Sequence, residues 1–307
     1  MKFGLFVPQG WRLDLVEIED PVEQFEAMTN VARAADGGDW DSIWVYDHFH
    51  TVPTSEMEST FECWTTTATL SRDTKRVNIG QMVSCNGYRQ PSLYAKIAST
   101  VDVASNGRLY AGLGAGWYEQ EWNAYGYDWE ETPERMGKFR EAVEIVHKMW
   151  TEDAPVFEGK HYRIDKPINE PKGVRKPHPM FWIGGGGERV TLKLVAQYGD
   201  GSNINAELPE IERKLAVLRA HCESVGRDYG EIAKSSTVSI ALDPRPEANR
   251  KHPRAENVLA GTIADVRERV EQLAAIGVDY VIFYVEDVAY DLEKVHKLNE
   301  EVVRHFS

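Results

Sequence analysis

The sequence predicts an α/β protein built as a (β/α)8 TIM barrel, and three observations carry that expectation. Eight short β-rich runs recur along the chain, each followed by a stretch of helical period. Unbroken strand–helix alternation implies a parallel sheet buried on both faces. The length of 307 residues suits one barrel with room for an insertion, since such barrels commonly take roughly 250. One domain over 1–307 is therefore expected, with no linker and no repeat beyond the strand–helix unit.

The strand candidates are Phe3 to Pro8, Ser42 to Asp47, Val77 to Cys85, Leu109 to Gly116, Met180 to Gly185, Gly201 to Asn205, Ser235 to Leu242 and Tyr280 to Glu286. Between them the helical faces are well marked. Ile211, Leu215, Leu218, Cys222 and Val225 share one face, as do Met136, Phe139, Val143, Val146 and Trp150. Asp20-Pro21 and Thr132-Pro133 each place a capping side chain before a proline at the first helical position. Thr262 with Asp265 reads as a capping box, with aspartate in the usual glutamate place. Gly107 and Gly277 stand where helices should stop.

The irregular interval falls between the fourth and fifth strands. Residues 151–179 bear prolines and no helical period, and are read as an insertion with a small β-turn element around Phe157 to Tyr162. A second loop, Asp243 to Asn257, is charged and proline-bearing and is expected to be mobile. A doubly wound nucleotide-binding sheet is the rival architecture. It needs G-x-G-x-x-G after the first strand, whereas Gly112, Gly114 and Gly116 read G-x-G-x-G after the fourth and lead into an aromatic loop rather than a helix.

Composition narrows the function. A net charge of −14 argues against nucleic acid and anionic membrane as partners, because both demand clustered positive charge. The amino terminus, Met1 to Pro8, is too soon broken by proline for a signal peptide, and no apolar run approaches the roughly 20 residues of a membrane span. Cys63, Cys85 and Cys222 are odd in number and far apart, which fits a reducing, cytoplasmic setting rather than a disulfide framework. No His/Asp/Glu spacing reads as a metal site, and no G-x-S-x-G elbow suggests acyl transfer.

In a barrel the chemistry sits at the carboxyl ends of the strands. Those ends supply Gln9; Asp47 and His48; Ser84, Cys85 and Asn86; Gly114, Ala115, Gly116 and Trp117; Gly184, Gly185, Gly186 and Gly187; Asn203 and Asn205; and Glu286 and Asp287. The glycine run leads from a strand toward a helix, and free N–H groups at such a start suit a phosphate. His48 either exchanges a proton with a ligand or caps a neighbouring helix, and Asp47 either holds a ligand amide or keeps the imidazole charged. Trp117, Tyr118, Trp122, Tyr125, Tyr127 and Trp129 crowd the loop after the fourth strand and suit either a planar ligand or a self-packed lid. Lys172, Arg175 and Lys176 stand in a loop that is either solvated or meets an anionic cofactor tail. Paired carboxylates such as Asp47 and Glu286 would be needed by a barrel glycosidase.

Five pieces together resemble the bacterial luciferase-like superfamily, in its branch of coenzyme F420-dependent oxidoreductases. They are Ser42-Ile-Trp-Val-Tyr-Asp-His48, Arg89 to Lys96, Gly107 to Glu121, Tyr125-Gly126 and Phe181-Trp-Ile-Gly-Gly-Gly-Gly187. The resemblance covers nearly the whole chain. It implies a barrel holding a flavin or deazaflavin ring in its mouth, with Asp47 contacting the coenzyme and His48 serving proton transfer. It implies a bulge, sometimes with a non-proline cis peptide, at Ser84-Cys85-Asn86 behind the ring, and phosphate binding by Gly184 to Gly187. Some sugar phosphate dehydrogenases of the branch carry a catalytic glutamate where this chain has Trp117, which disfavours a sugar phosphate. Glu121 is implied to be structural. The resemblance also implies a homodimer acting on a small-molecule substrate. The alternatives are a flavin mononucleotide (FMN)-dependent monooxygenase of the same fold and a catalytically silent flavin-binding protein.

Overall fold

The structure is a computed structural model that describes residues 1–244 and 258–307. The first half of the chain forms β1 (Lys2–Phe6), α1 (Pro21–Asp36), β2 (Ser42–Val45), α2 (Cys63–Asp73), β3 (Asn78–Gln81), β4 (Ser84–Cys85), α3 (Pro91–Ala104), β5 (Leu109–Gly114), α4 (Glu119–Ala124) and α5 (Thr132–Thr151). Then come β6 (Val156–Glu158), β7 (Arg163–Asp165), β8 (Met180–Gly184), α6 (Thr191–Tyr198), β9 (Gly201–Asn203) and α7 (Leu208–Val225). The last are β10 (Ala233–Leu242), β11 (Leu259–Gly261), α8 (Ile263–Ala275), β12 (Tyr280–Val285) and α9 (Glu293–Leu298).

The sheet runs β11-β10-β12-β1-β2-β3-β5-β8-β9, and β9 also pairs with β10. It is thereby closed, with eight strands in the ring, and the (β/α)8 barrel is the fold. Register is parallel in the pairs: Gly4 stands opposite Ile282 and Ser42, and Gly112 opposite Trp182. The expected third strand is two pieces, β3 and β4, with a cis Met82–Val83 peptide between them.

Two compact units can be distinguished. The first comprises residues 1–79, 204–212 and 234–307. Its core is β12, buried at all six residues, packed with Phe3, Leu5, Trp40 and Trp44. Gly4 is glycine because a Cβ there would stand 2.4 Å from the Trp44 indole nitrogen. Gln9 is not a site residue. Its side-chain amide donates to the carbonyls of Tyr46 (2.8 Å) and Phe61 (2.6 Å) and accepts from the Tyr46 N–H (2.6 Å), which ties the end of β1 to β2. The cap expectations hold here: Asp20 accepts from Val22 and Glu23, and Thr262 with Asp265 forms a capping box. A cap of this kind contributes about 1 kcal/mol.

The second unit comprises residues 80–203 and 213–233. Phe139, Val143, Val146 and Trp150 bury the predicted face of α5, while Met136 stays partly exposed. Thr132 does not cap α5. The N-cap is Glu131, and the Thr132 hydroxyl instead accepts from Arg135. The segment after β5, expected as loop, contains the short helix α4, whose Trp122 is buried. In the interval 151–179, β6 and β7 form an antiparallel hairpin around the expected turn. Glu141 on α5 holds that hairpin by accepting from the N–H groups of Lys160, His161 and Tyr162 at 2.8 to 2.9 Å. From residue 245 onward, the loop expected over 243–257 lies outside the described residues.

Candidate active site

In the first unit the strand ends build an aromatic-walled cluster around the Arg12 guanidinium, with the carboxylates of Asp14 and Glu286 acting on it. Gly10, at φ +97°, turns the chain out of β1, and a Cβ there would lie 1.9 Å from the Ser59 carbonyl oxygen. The turn delivers Trp11, Arg12 and Asp14. The Trp11 ring lies parallel to His48 at 4.3 Å and also touches Tyr46 at 4.1 Å. The Arg12 guanidinium sits 4.7 Å above the Tyr284 ring and 5.2 Å from Trp11, within cation–π range. Asp14 accepts from the Gly10 N–H (2.7 Å) and from the Tyr284 hydroxyl (3.1 Å).

Burial among these rings pushes the Asp14 carboxyl up to about 6, although both hydrogen bonds and Arg12 work against the rise. The same burial raises Tyr46 and Tyr284, which therefore stay neutral phenols near pH 7. The Tyr46 hydroxyl is buried without a hydrogen-bond partner among the described residues. Asp47 is 2% exposed and His48 partly exposed, one residue apart at the end of β2. Glu286 is buried at the end of β12.

In the second unit the strand ends are lined by bare backbone. Val83 packs against the inner glycines: a Cβ on Gly114 would lie 2.5 Å from its Cγ2, and one on Gly184 would lie 2.7 Å from its Cγ1. These two glycines are thus explained by close packing of the wall and require no ligand. The Ser84 hydroxyl is buried beside them with no hydrogen-bond partner among the described residues. Buried Cys85 faces Gly116, where a Cβ would come within 2.6 Å of the thiol sulfur. The Asn86 amide donates to the Tyr162 hydroxyl at 3.3 Å. A pocket of about 370 Å³ opens here, walled by Asn86, Tyr88, Ala115, Trp122, Arg135 and Tyr162.

The aromatic loop is divided between lid and core. Trp122 covers Gly87 and Gly116 and meets Trp129 edge-on at 5.3 Å. The Tyr88 hydroxyl donates to fully buried Glu121 at 2.5 Å. Trp117 is 61% exposed.

Gly184 ends β8, and Gly185 to Gly187 form a loop ahead of α6 rather than its first turn, because the helix begins at Thr191. Their N–H groups are therefore not the helix-start donors that the sequence suggested. Gly185 at φ +114° donates to Asn203 (3.3 Å), and Gly185 and Gly187 are exposed. Lys214 on α7 donates its ammonium to the Gly186 carbonyl at 2.6 Å and brings a positive charge to the loop. Sequence reading missed Trp11, Arg12, Asp14 and Lys214. The first three follow a strand end closely and were findable; Lys214 reaches the loop across 28 residues of sequence and was not. Lys172 is excluded as a cofactor contact, since its ammonium donates to the Glu152 carbonyl (2.7 Å) beyond the end of α5. Among the described residues no cluster of ligating side chains could hold a metal ion, and no helix is long and apolar enough to cross a membrane.

The family profile described as luciferase-like monooxygenase matches residues 1–275. The F420-dependent glucose-6-phosphate dehydrogenase of Segniliparus rotundus is 31% identical over 233 residues, covering 73% of this chain and 68% of that one. The FMNH2-dependent dimethylsulfone monooxygenase of Pseudomonas fluorescens is 27% identical over 261 residues, covering 69% and 71%. An F420-dependent secondary alcohol dehydrogenase, solved in complex with an F420-acetone adduct, superposes with a TM-score of 0.79 at 18% identity over 98% of each chain, a likeness of fold. A profile match running from the first strand into α8 sets the glycosidase alternative aside, and the chain is an oxidoreductase belonging to the luciferase-like monooxygenase family.

Proposed function

We propose that this protein is a coenzyme F420-dependent oxidoreductase that moves a hydride between the deazaflavin ring and a small organic substrate. The observation that carries the reading is the Asp47-His48 pair at the end of β2. Its imidazole is held flat against Trp11 and its aspartate is buried. Hydride transfer to or from a carbonyl must be matched by a proton, and a partly exposed histidine is the side chain suited to move one near neutral pH. The relative from Segniliparus rotundus adds support, being F420-dependent at 31% identity.

The residues present fit such a coenzyme. In the second unit the buried Ser84 hydroxyl has no hydrogen-bond partner among the described residues, which suits hydrogen bonding to a polar ring edge. Ser84, Cys85 and Asn86 with Ala115 and Gly116 offer a backbone wall, and Gly186 and Gly187 with Lys214 offer N–H groups and charge for a phosphate. Bound F420 would supply two-electron hydride chemistry at its central ring carbon. The protein's part is orientation and proton supply: Asp47 fixes the coenzyme, His48 exchanges the proton, and the rings of Trp11, Tyr46 and Tyr284 keep water away. Trp117, in place of a carboxylate, points to an alcohol or carbonyl substrate rather than a sugar phosphate.

FMN is the second reading, favoured by the FMNH2-dependent relative from Pseudomonas fluorescens. Fluorescence titration of the purified protein with F420 and, separately, with FMN separates the two. Saturable, tighter binding of F420 is expected; saturable binding of FMN with no response to F420 would replace the first reading by the second. A homodimer belongs to the same proposal, and a monomeric mass by light scattering at micromolar concentration would contradict it.

A further inference from the structure

The second unit carries a basic pocket that the proton-transfer and phosphate assignments leave unused. It has a volume of about 360 Å³ and is lined by Arg140 from α5, by Arg189 and Val190, and by Lys193, Leu194 and Gln197 from α6. None of the lining residues is acidic. Arg140, Arg189 and Lys193 are exposed and form no hydrogen bond or ion pair among the described residues. Other basic residues of this unit behave differently: Arg213 pairs with Glu188 at 2.6 Å, and Lys148 pairs with Glu152 at 3.2 Å. Three converging, unpaired cations are unusual in a chain with 49 acidic residues and a net charge of −14, where nearby carboxylates are plentiful. Like charges held together repel, and the arrangement is relieved when an anion enters.

The pocket begins where the glycine loop ends. Arg189 follows Gly187 by two residues, a reach of at most about 7 Å along the chain. A ligand whose phosphate lies on Gly186 and Gly187 would therefore deliver whatever follows that phosphate to Arg189 and then to Lys193 and Arg140. Beyond its phosphate F420 carries a flexible chain of γ-linked glutamates, each with a free α-carboxylate and the last with its γ-carboxylate as well. FMN ends at the phosphate and has nothing to place there.

We propose that Arg140, Arg189 and Lys193 form a subsite for the oligoglutamate tail of the coenzyme, so that affinity rises with the number of glutamates. The inference rests on the F420 reading above. The pocket recognises an oligocarboxylate by charge and reach rather than by shape, because its cations are long, mobile and half in water. Each contact is therefore weak, screened by salt, and additive only in aggregate.

The test compares F420 lacking glutamates with F420 bearing several, titrated into wild-type protein and into an Arg140→Gln, Arg189→Gln, Lys193→Gln triple variant. All three side chains are exposed, so the variant should melt with the wild type, and a thermal melt checks it. The wild type should bind the tailed form about tenfold more tightly than the tailless form at low salt. The triple variant should bind the two forms alike, with the tailless affinity within about twofold of wild type. The difference should also shrink as salt is raised to 0.5 M. If wild type binds both forms equally and the variant changes neither, the tail subsite is wrong while the coenzyme assignment stands. If neither form binds and FMN does, the coenzyme assignment fails and the subsite with it.

Discussion

The indole of Trp11 lies flat against the imidazole of His48, centroids 4.3 Å apart and planes 3° from parallel. The Gly10 turn supplies one ring and the end of β2 the other, so His48 is oriented by a neighbouring strand. The stack fixes the plane of the imidazole, a restraint that suits a side chain passing a proton along one direction.

Trp11→Leu removes the stack and leaves a hydrophobic residue in place. Such ring contacts are worth about 0.5–1.5 kcal/mol, so kcat should fall up to about tenfold while coenzyme affinity holds. Trp11→Phe should recover most of the loss. Equal rates in all three proteins would show that the stack does not position His48.

Asp14 gives the protein a pH-dependent stability. Burial lifts its folded-state carboxyl to about 6, above the unfolded value near 3.9. Between about pH 4 and pH 6 the folded state then holds more protons than the unfolded state. Its contribution to stability is therefore greatest in acid and declines as pH rises through that window. Asp14→Asn accepts the same Gly10 N–H without the charge. The melting temperature of the variant relative to wild type should be higher at pH 7 than at pH 4.5, and a difference independent of pH would refute the burial argument.

The glycines of the second unit divide by cause. Gly114→Ala forces a Cβ against Val83, an overpacking that costs about 1–3 kcal/mol, and should lower the melting temperature while folded protein keeps its coenzyme affinity. At Gly185 a Cβ has room, 3.6 Å from Thr191, but the backbone sits at φ +114°. Gly185→Val should distort the loop at a cost of about 1–3 kcal/mol and weaken coenzyme binding at least about tenfold. Isothermal titration beside a thermal melt distinguishes the two variants, and the same pattern in both would erase the division.

Much of this was legible in the chain. Strand–helix alternation gave the barrel because buried parallel strands read as continuous apolar runs, and β12 is buried throughout. The Thr262–Asp265 box and the Asp20 cap were visible because capping is local. What failed was long-range or depended on neighbours. Gln9 stands at a strand end, as a site residue would, yet all its hydrogen bonds go to backbone. Gly114 and Gly184 looked like ligand glycines, but the side chain that demands them, Val83, lies on another strand connection. The short helix α4 was masked by its aromatics, whose burial against Gly87 and Gly116 only the fold reveals.

The most direct test of the central claim is turnover by His48→Asn with F420. Asparagine keeps a polar group of similar reach and cannot exchange a proton near neutral pH. If His48 moves the proton, F420-linked hydride transfer should fall by about 10²- to 10⁴-fold while F420 affinity and the melting temperature stay close to wild type. A folded His48→Asn protein that retains most of its F420-linked turnover would contradict the assignment.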